Sequence, residues 1–212
     1  MAVITECEAE YPVASRFETR QGFSAVVEYE PEVGPWNDPR DWSNASVMVC
    51  GHRDYSLGDE QVQEGAADGY GSVRNWLIAT FDADRDTISP LYLYDHSGIS
   101  MSVGSPNRMW LDDAGWDTSM VGFAFTTPAT REETGVTLEN AQEAIRQEVA
   151  TYDAFLRGEV YGYRVLDRDG ETVECCGGFV GDQEGAEADA KAELTFHADQ
   201  AVALATREAV GL

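Results

Sequence analysis

The segment Cys50-Gly51-His52-Arg53-Asp54-Tyr55 places a thiol, an imidazole, a guanidinium, a carboxylate and a phenol within six residues. A thiolate beside a histidine is the usual basis of covalent catalysis. If the segment ends a strand, Cys50 and His52 share a face, but their Cα atoms stand about 6.5–7 Å apart, far for a nucleophile–base hydrogen bond. His96 is a second source of a base, with Asp95 or Asp117 to orient its ring. Cys50, His52, Asp95 and His96 are therefore the catalytic candidates of an enzymatic reading. Asp95, His96 and Ser97 offer acid, base and hydroxyl in succession, yet adjacency alone does not build a serine triad.

Cys50, His52, His96 and one of Cys175 or Cys176 are plausible soft metal donors, but none has the local spacing of a zinc sequence. No metal is expected. No cofactor is expected either, since the chain lacks a Walker loop with its lysine, a GxGxxG turn after a strand, and His-Glu-x-x-His. Tyr92, Tyr94, Trp110, Trp116, Tyr152, Tyr161 and Tyr163, with Arg53 and His96, suit a pocket that stacks a nucleobase. Arg53, Tyr94, Trp116, Asp117, Tyr152 and Tyr163 are the ligand-binding candidates. The competing reading is structural: Cys50 and Cys175 fill the core, His52 and His96 tie down loops, and the aromatic rings pack between sheet and helix.

These residues need elements to hold them. Phe23–Tyr29 is rich in β-branched and aromatic residues and reads as a strand, and Val47–Val49 as a short buried one. Between them, the Pro- and Gly-containing stretch 31–44 reads as a long loop, and 56–71 as a glycine-rich surface connection. Val73, Trp76, Leu77 and Phe81 recur at helical spacing behind Ser72, so the pattern predicts a short helix over 72–82. Leu91–Tyr94 and Ile99–Val103 flank the turn-forming residues 95–98 and predict a hairpin; 104–116 reads as loop, and Met120–Phe125 as a third strand of the same antiparallel sheet. Leu138, Ala141, Ile145, Val149, Tyr152 and Leu156 form one stripe behind a Thr137 cap and before Gly158, predicting a helix over 137–157. Asp169-Gly170 joins Val160–Leu166 to Thr172–Val180 as a second hairpin. Residues 186–209 are Ala-rich and predict a last helix whose thin apolar stripe packs weakly or mediates homo-oligomer formation. The expected architecture is a single α+β domain over 1–212, an antiparallel sheet of hairpins against two or three helices, with 1–22 and 182–212 peripheral.

Charge restricts partners. Thirty-nine acidic against fourteen basic residues give a formal net charge of −25. Nucleic-acid binders bring Lys or Arg to phosphates, so direct nucleic-acid binding is not expected. Every basic residue but Lys191 is arginine, which suits bidentate pairing. A GC-rich coding sequence or a salt-rich cytoplasm yields the same bias without a function. The functional alternative is that carboxylates imitate phosphates and occupy the basic groove of a partner, which requires folding to gather them into a band. Four irregularly spaced cysteines fit a reducing cytoplasm, and no apolar run is long enough for a membrane span.

Several blocks in order carry a resemblance: Pro39 to Asn44, Met48 to Asp59, Leu91 to Ser100, Trp116-Asp117 with Val121-Gly122-Phe123, Tyr152 to Tyr163, and Cys175 to Phe179. Over about residues 39–180 the chain resembles a family of phage and prophage proteins of about this size. It departs from that pattern at Gly51, where the family has an aromatic residue, and at Asp54, where it has a second basic one. The resemblance implies a viral accessory origin and action in the host cytoplasm, and carries no activity with it. The expected function is that of a non-enzymatic accessory protein that blocks a host factor with a basic surface, through nucleic-acid mimicry against a defence system. A small hydrolase or nucleotide-binding protein with a Cys/His/Asp pocket, and a minor virion component, are the alternatives.

Overall fold

The structure, a computed structural model, describes residues 11–19, 21–30, 37–62, 65–104 and 116–210. In chain order its elements are β1 (Val13–Glu18), β2 (Ser24–Tyr29), β3 (Ser46–Cys50), β4 (Glu60–Gln61), α1 (Val73–Phe81), β5 (Ser89–Asp95), β6 (Ile99–Val103), β7 (Thr118–Thr126), α2 (Pro128–Thr134), α3 (Ala141–Leu156), β8 (Val160–Leu166), β9 (Thr172–Val180) and α4 (Gln183–Val210). This is an α+β fold. Its strands form two sheets, one in each of two compact units: residues 38–157 make the first, and 1–37 with 158–212 the second.

In the central unit the sheet runs β4-β3-β7-β5-β6, antiparallel throughout except for the short parallel pair β3 and β4. Side chains alternate along β3, so Met48 and Cys50 join Leu91, Leu93, Met101, Ile145, Val149 and Tyr152 in the core beneath α3. Val49 on the opposite face packs with Trp76, Leu77 and Phe125 beneath α1. Gly122 of β7 lies opposite both Cys50 and Leu91. A Cβ there would collide with the Val49 carbonyl oxygen, so only glycine lets the strands approach this closely.

Three local features position the ends of these elements. The Ser72 hydroxyl accepts the Asn75 N–H at 3.2 Å and starts α1 where the sequence predicts it. Helix α3 begins at Ala141, later than the expected Thr137, because 137–140 close into a turn whose Asn140 N–H donates to the Thr137 carbonyl at 3.1 Å. At the start of β3, Glu148 of α3 accepts the N–H groups of Ala45 and Ser46 at 2.7 and 2.9 Å. Arg40 grips Asp59 with two bonds of 2.9 and 2.7 Å and donates to the Ser46 carbonyl at 2.8 Å. Asp59 in turn accepts the Met48 N–H at 2.7 Å. Buried backbone groups are thereby satisfied at the start of β3, ahead of Val49 and Cys50, which pair with β4.

The second unit is a four-stranded antiparallel sheet, β1-β2-β8-β9. Its α4-facing core joins Ala25, Val27, Tyr161, Tyr163 and Val165 to Ala186, Ala190 and Leu194. On β2 and β8, Glu28 and Arg164 pair through bonds of 3.0 and 2.7 Å while largely buried. The Ala-rich stripe on α4 is the reason the helix lies close to the sheet, since small side chains fill little space between them. No helix among the described residues is long and apolar enough to cross a membrane.

Candidate functional site

The chemistry-bearing residues of the central unit gather at one end of its sheet, where β3 and β5 finish and β7 begins. The chain leaves β3 through Gly51 and turns at His52. The His52 ring stacks on Tyr55, centroids 4.8 Å apart and planes inclined by 22°, while its Nδ1 accepts the Asp54 N–H at 3.2 Å. The Tyr55 hydroxyl donates to Asp95 at the end of β5, 3.2 Å away. Burial first, then the charge of Asp95 and that hydrogen bond, raise the Tyr55 phenol above its ordinary value. Arg53 pairs with its neighbour Asp54 at 2.7 Å and is exposed.

Across the sheet end, the His96 Nδ1 lies 3.0 Å from an Asp117 carboxylate oxygen, and the Asp117 carbonyl accepts the Asp95 N–H at 2.8 Å. A carboxylate on Nδ1 fixes the ring so that Nε2 is the basic nitrogen, the arrangement of a general base. Both partners face solvent. Trp116 precedes this pair and is 87% exposed.

A cleft of about 380 Å³ runs between these groups, lined by His52, Arg53, Asp95, Trp116, Asp117 and Met120 among others. A larger one of about 590 Å³ opens toward α1 and shares Gly51, His52, Arg53, Met120 and Val121 with it. His52 and Arg53 therefore stand on the ridge between two openings. His96 and Tyr94 line a separate depression of about 270 Å³ beside the hairpin turn.

Of the four catalytic candidates, His52 and Asp95 share a cleft and His96 reaches it only through Asp117. Cys50 points the other way. It is fully buried, and burial followed by the nearby Asp59 charge pushes its thiol up to about 12, which leaves almost no thiolate at neutral pH. Of the ligand-binding candidates, Arg53, Trp116 and Asp117 line the cleft and Tyr94 the neighbouring depression. Tyr152 belongs to the core beneath α3, where its hydroxyl accepts the Gly58 N–H at 3.1 Å and burial pushes it up to about 12. Tyr163 lies in the other unit, beneath α4, and Trp110 falls outside the described residues. The reading that grouped Cys50, His52, His96 and Cys175 or Cys176 as donors has no counterpart among the described residues, whose clustered donors are Glu174, Glu193 and His197. Tyr55 was the site residue a periodicity argument passes over; its position three after His52 is the signal, since a turn brings those rings together.

Comparison with protein-family models, with curated proteins and with solved structures finds no match to this chain.

Proposed function

We propose that this chain is a phage-encoded, non-enzymatic interaction protein whose acidic surface occupies the basic, nucleic-acid-binding face of a host protein. The observation that carries the reading is where its few cations go. Arg40, Arg53, Arg131, Arg146, Arg157, Arg164 and Lys191 each pair with a carboxylate of this same chain. Arg74 and Arg168 donate to backbone carbonyls. Arg16, Arg85 and Arg207 are also exposed, and they are outnumbered by the carboxylates that face solvent, among them Asp82, Asp86, Glu132, Glu139, Glu171 and Asp199. A surface of that kind attracts basic partners at long range and repels phosphates. The burial of Cys50 also removes the thiol on which a covalent mechanism would depend.

The test uses the full chain, immobilised, with host-cell extract as the source of partner. A retained protein that binds DNA, that duplex DNA displaces, and that is released as salt rises from about 50 to about 500 mM supports the reading. Retention that neither DNA nor salt reverses overturns it. The second reading, a small-ligand site, is favoured by the cleft that His52, Asp95, Trp116 and Asp117 line. Without the Cys50 thiol, the groups lining it that could take up a proton include His52, Asp95 and Asp117. Saturable quenching of Trp116 fluorescence by a nucleotide, lost in His52→Ala, would favour that reading over the first.

A further inference from the structure

A group of donors in the second unit has no part in either reading. On α4, Glu193 and His197 are four residues apart and so lie on one face of the helix. On β9, Glu174 is paired with Val165 of β8, and Val165 is buried against α4. Residues directly opposite in an antiparallel pair share a face, so Glu174 also points to the α4 side. The ligand atoms of Glu174, Glu193 and His197 all lie within 4.8 Å of one another.

Two features are hard to account for without an ion. The Nε2 of His197 is shut off from solvent and has no hydrogen-bond partner. An orphan of this kind costs about 1–3 kcal/mol, as do those at Ser15, Arg40 and Thr118 elsewhere in the fold. Beside it stand two carboxylates that repel each other at short range, with no cation among the group. A positive ion accepting the imidazole lone pair and both carboxylates removes both costs together.

We propose that Glu174, Glu193 and His197 bind one divalent transition-metal ion, with Zn²⁺ the best-fitting probe, and that water completes its coordination on the exposed side of Glu174. One imidazole with two carboxylates is a borderline donor set that suits Zn²⁺ and its first-row neighbours better than Mg²⁺ or Ca²⁺, which prefer oxygen alone. With bonds of about 2.0–2.2 Å, donors around a tetrahedral zinc sit about 3.4 Å apart, so the group must tighten by up to about 1.4 Å. Two flexible glutamates can do that by rotation. The ion would clamp the edge strand β9 to α4, whose residues in the shared core are Ala186, Ala190 and Leu194, with Phe179 of β9 packed against that core. The inference is independent of the interaction reading and can fail without it.

The experiment titrates chelator-treated full chain with ZnCl₂ by calorimetry in excess Mg²⁺, which suppresses loose binding to the many surface acids, and repeats it with CoCl₂ for the visible spectrum. The expected result is one ion per chain, a higher melting temperature, and a Co²⁺ spectrum of four-coordinate intensity. His197→Ala and Glu174→Gln each weaken binding by tenfold or more and abolish the spectrum, whereas Glu143→Gln, on α3 of the other unit, leaves both unchanged. Glu174 is exposed on an edge strand, so its variant folds even if that of His197 does not. Zinc binding that Mg²⁺ eliminates, or that survives Glu174→Gln undiminished, overturns the proposal.

Discussion

Replacing Glu148 by alanine removes the acceptor for two backbone N–H groups, those of Ala45 and Ser46, in residues 1% and 3% exposed. Each stranded donor costs about 1–3 kcal/mol, so the variant should lose about 2–6 kcal/mol. Glu148→Gln keeps one carbonyl oxygen for one of the two donors and should lose about half as much. Ser46→Ala deletes only a hydroxyl donor to the same carboxylate and should fall near 1 kcal/mol. Urea unfolding followed by tryptophan fluorescence reads this directly, because Trp76 is buried in the same unit. At a slope of about 2 kcal/mol per molar urea, the alanine variant's midpoint should drop by about 1–3 M. An alanine variant within about 0.5 kcal/mol of the parent would refute the reasoning, since surface substitutions without a structural role fall in that range.

Two further outcomes follow from the environment of single groups. A thiol raised from 9.0 to about 12 has its thiolate fraction cut by about a thousandfold, so iodoacetamide at pH 8 should label the exposed Cys176 and spare Cys50 until urea is added; peptide mass mapping that finds native Cys50 labelled at a similar rate would contradict its placement. Burial alone would raise the Asp84 carboxyl, but hydrogen bonds from Arg131 and Thr126 outweigh it and hold the group below its ordinary 3.8. A depressed folded value means that Asp84 contributes stability above pH 4 and loses it as pH falls through the folded value. Asp84→Asn should therefore melt lower than the parent at pH 7 and converge with it as the pH falls through the folded value, whereas a gap independent of pH would rule out the ion pair as the cause.

Much of the fold is legible because local signals agree with one another. The stripe from Ala141 to Leu156, the Ser72 cap and the Asp169-Gly170 turn each place an element within a few residues. What escapes has weak local pattern. Strand β1 is Val13-Ala14-Ser15-Arg16-Phe17-Glu18, a half-exposed edge with no clean alternation. Helix α2 buries none of its residues, and its sequence marks lie at its ends alone: the Thr127–Thr130 capping box, Pro128 in the first turn and Gly135 at the close. The division into two sheets is invisible locally, because β2 finds its partner β8 through pairs such as Ser24 with Leu166. The candidate site was legible in part: His52, Arg53, Asp95, Trp116 and Asp117 do line one cleft. Cys50 was misleading because strand alternation, which places it on the face of Met48, says nothing about whether that face is the covered one. The α4 donors were missed because two glutamates and a histidine in an acidic chain do not stand out until β9 is laid beside them.

The sheet beneath α4 is assembled from segments on either side of the 38–157 body, which intervenes between its second and third strands. During translation, the hairpin of β1 and β2 leaves the ribosome before that body and must wait for more than a hundred residues before β8 arrives to cover its edge. The intervening body has all of its own strands by then and can fold while synthesis continues. Completion of this second unit is thus timed by α4, and a ribosome that stops short of α4 leaves one finished body and one bare, aggregation-prone sheet.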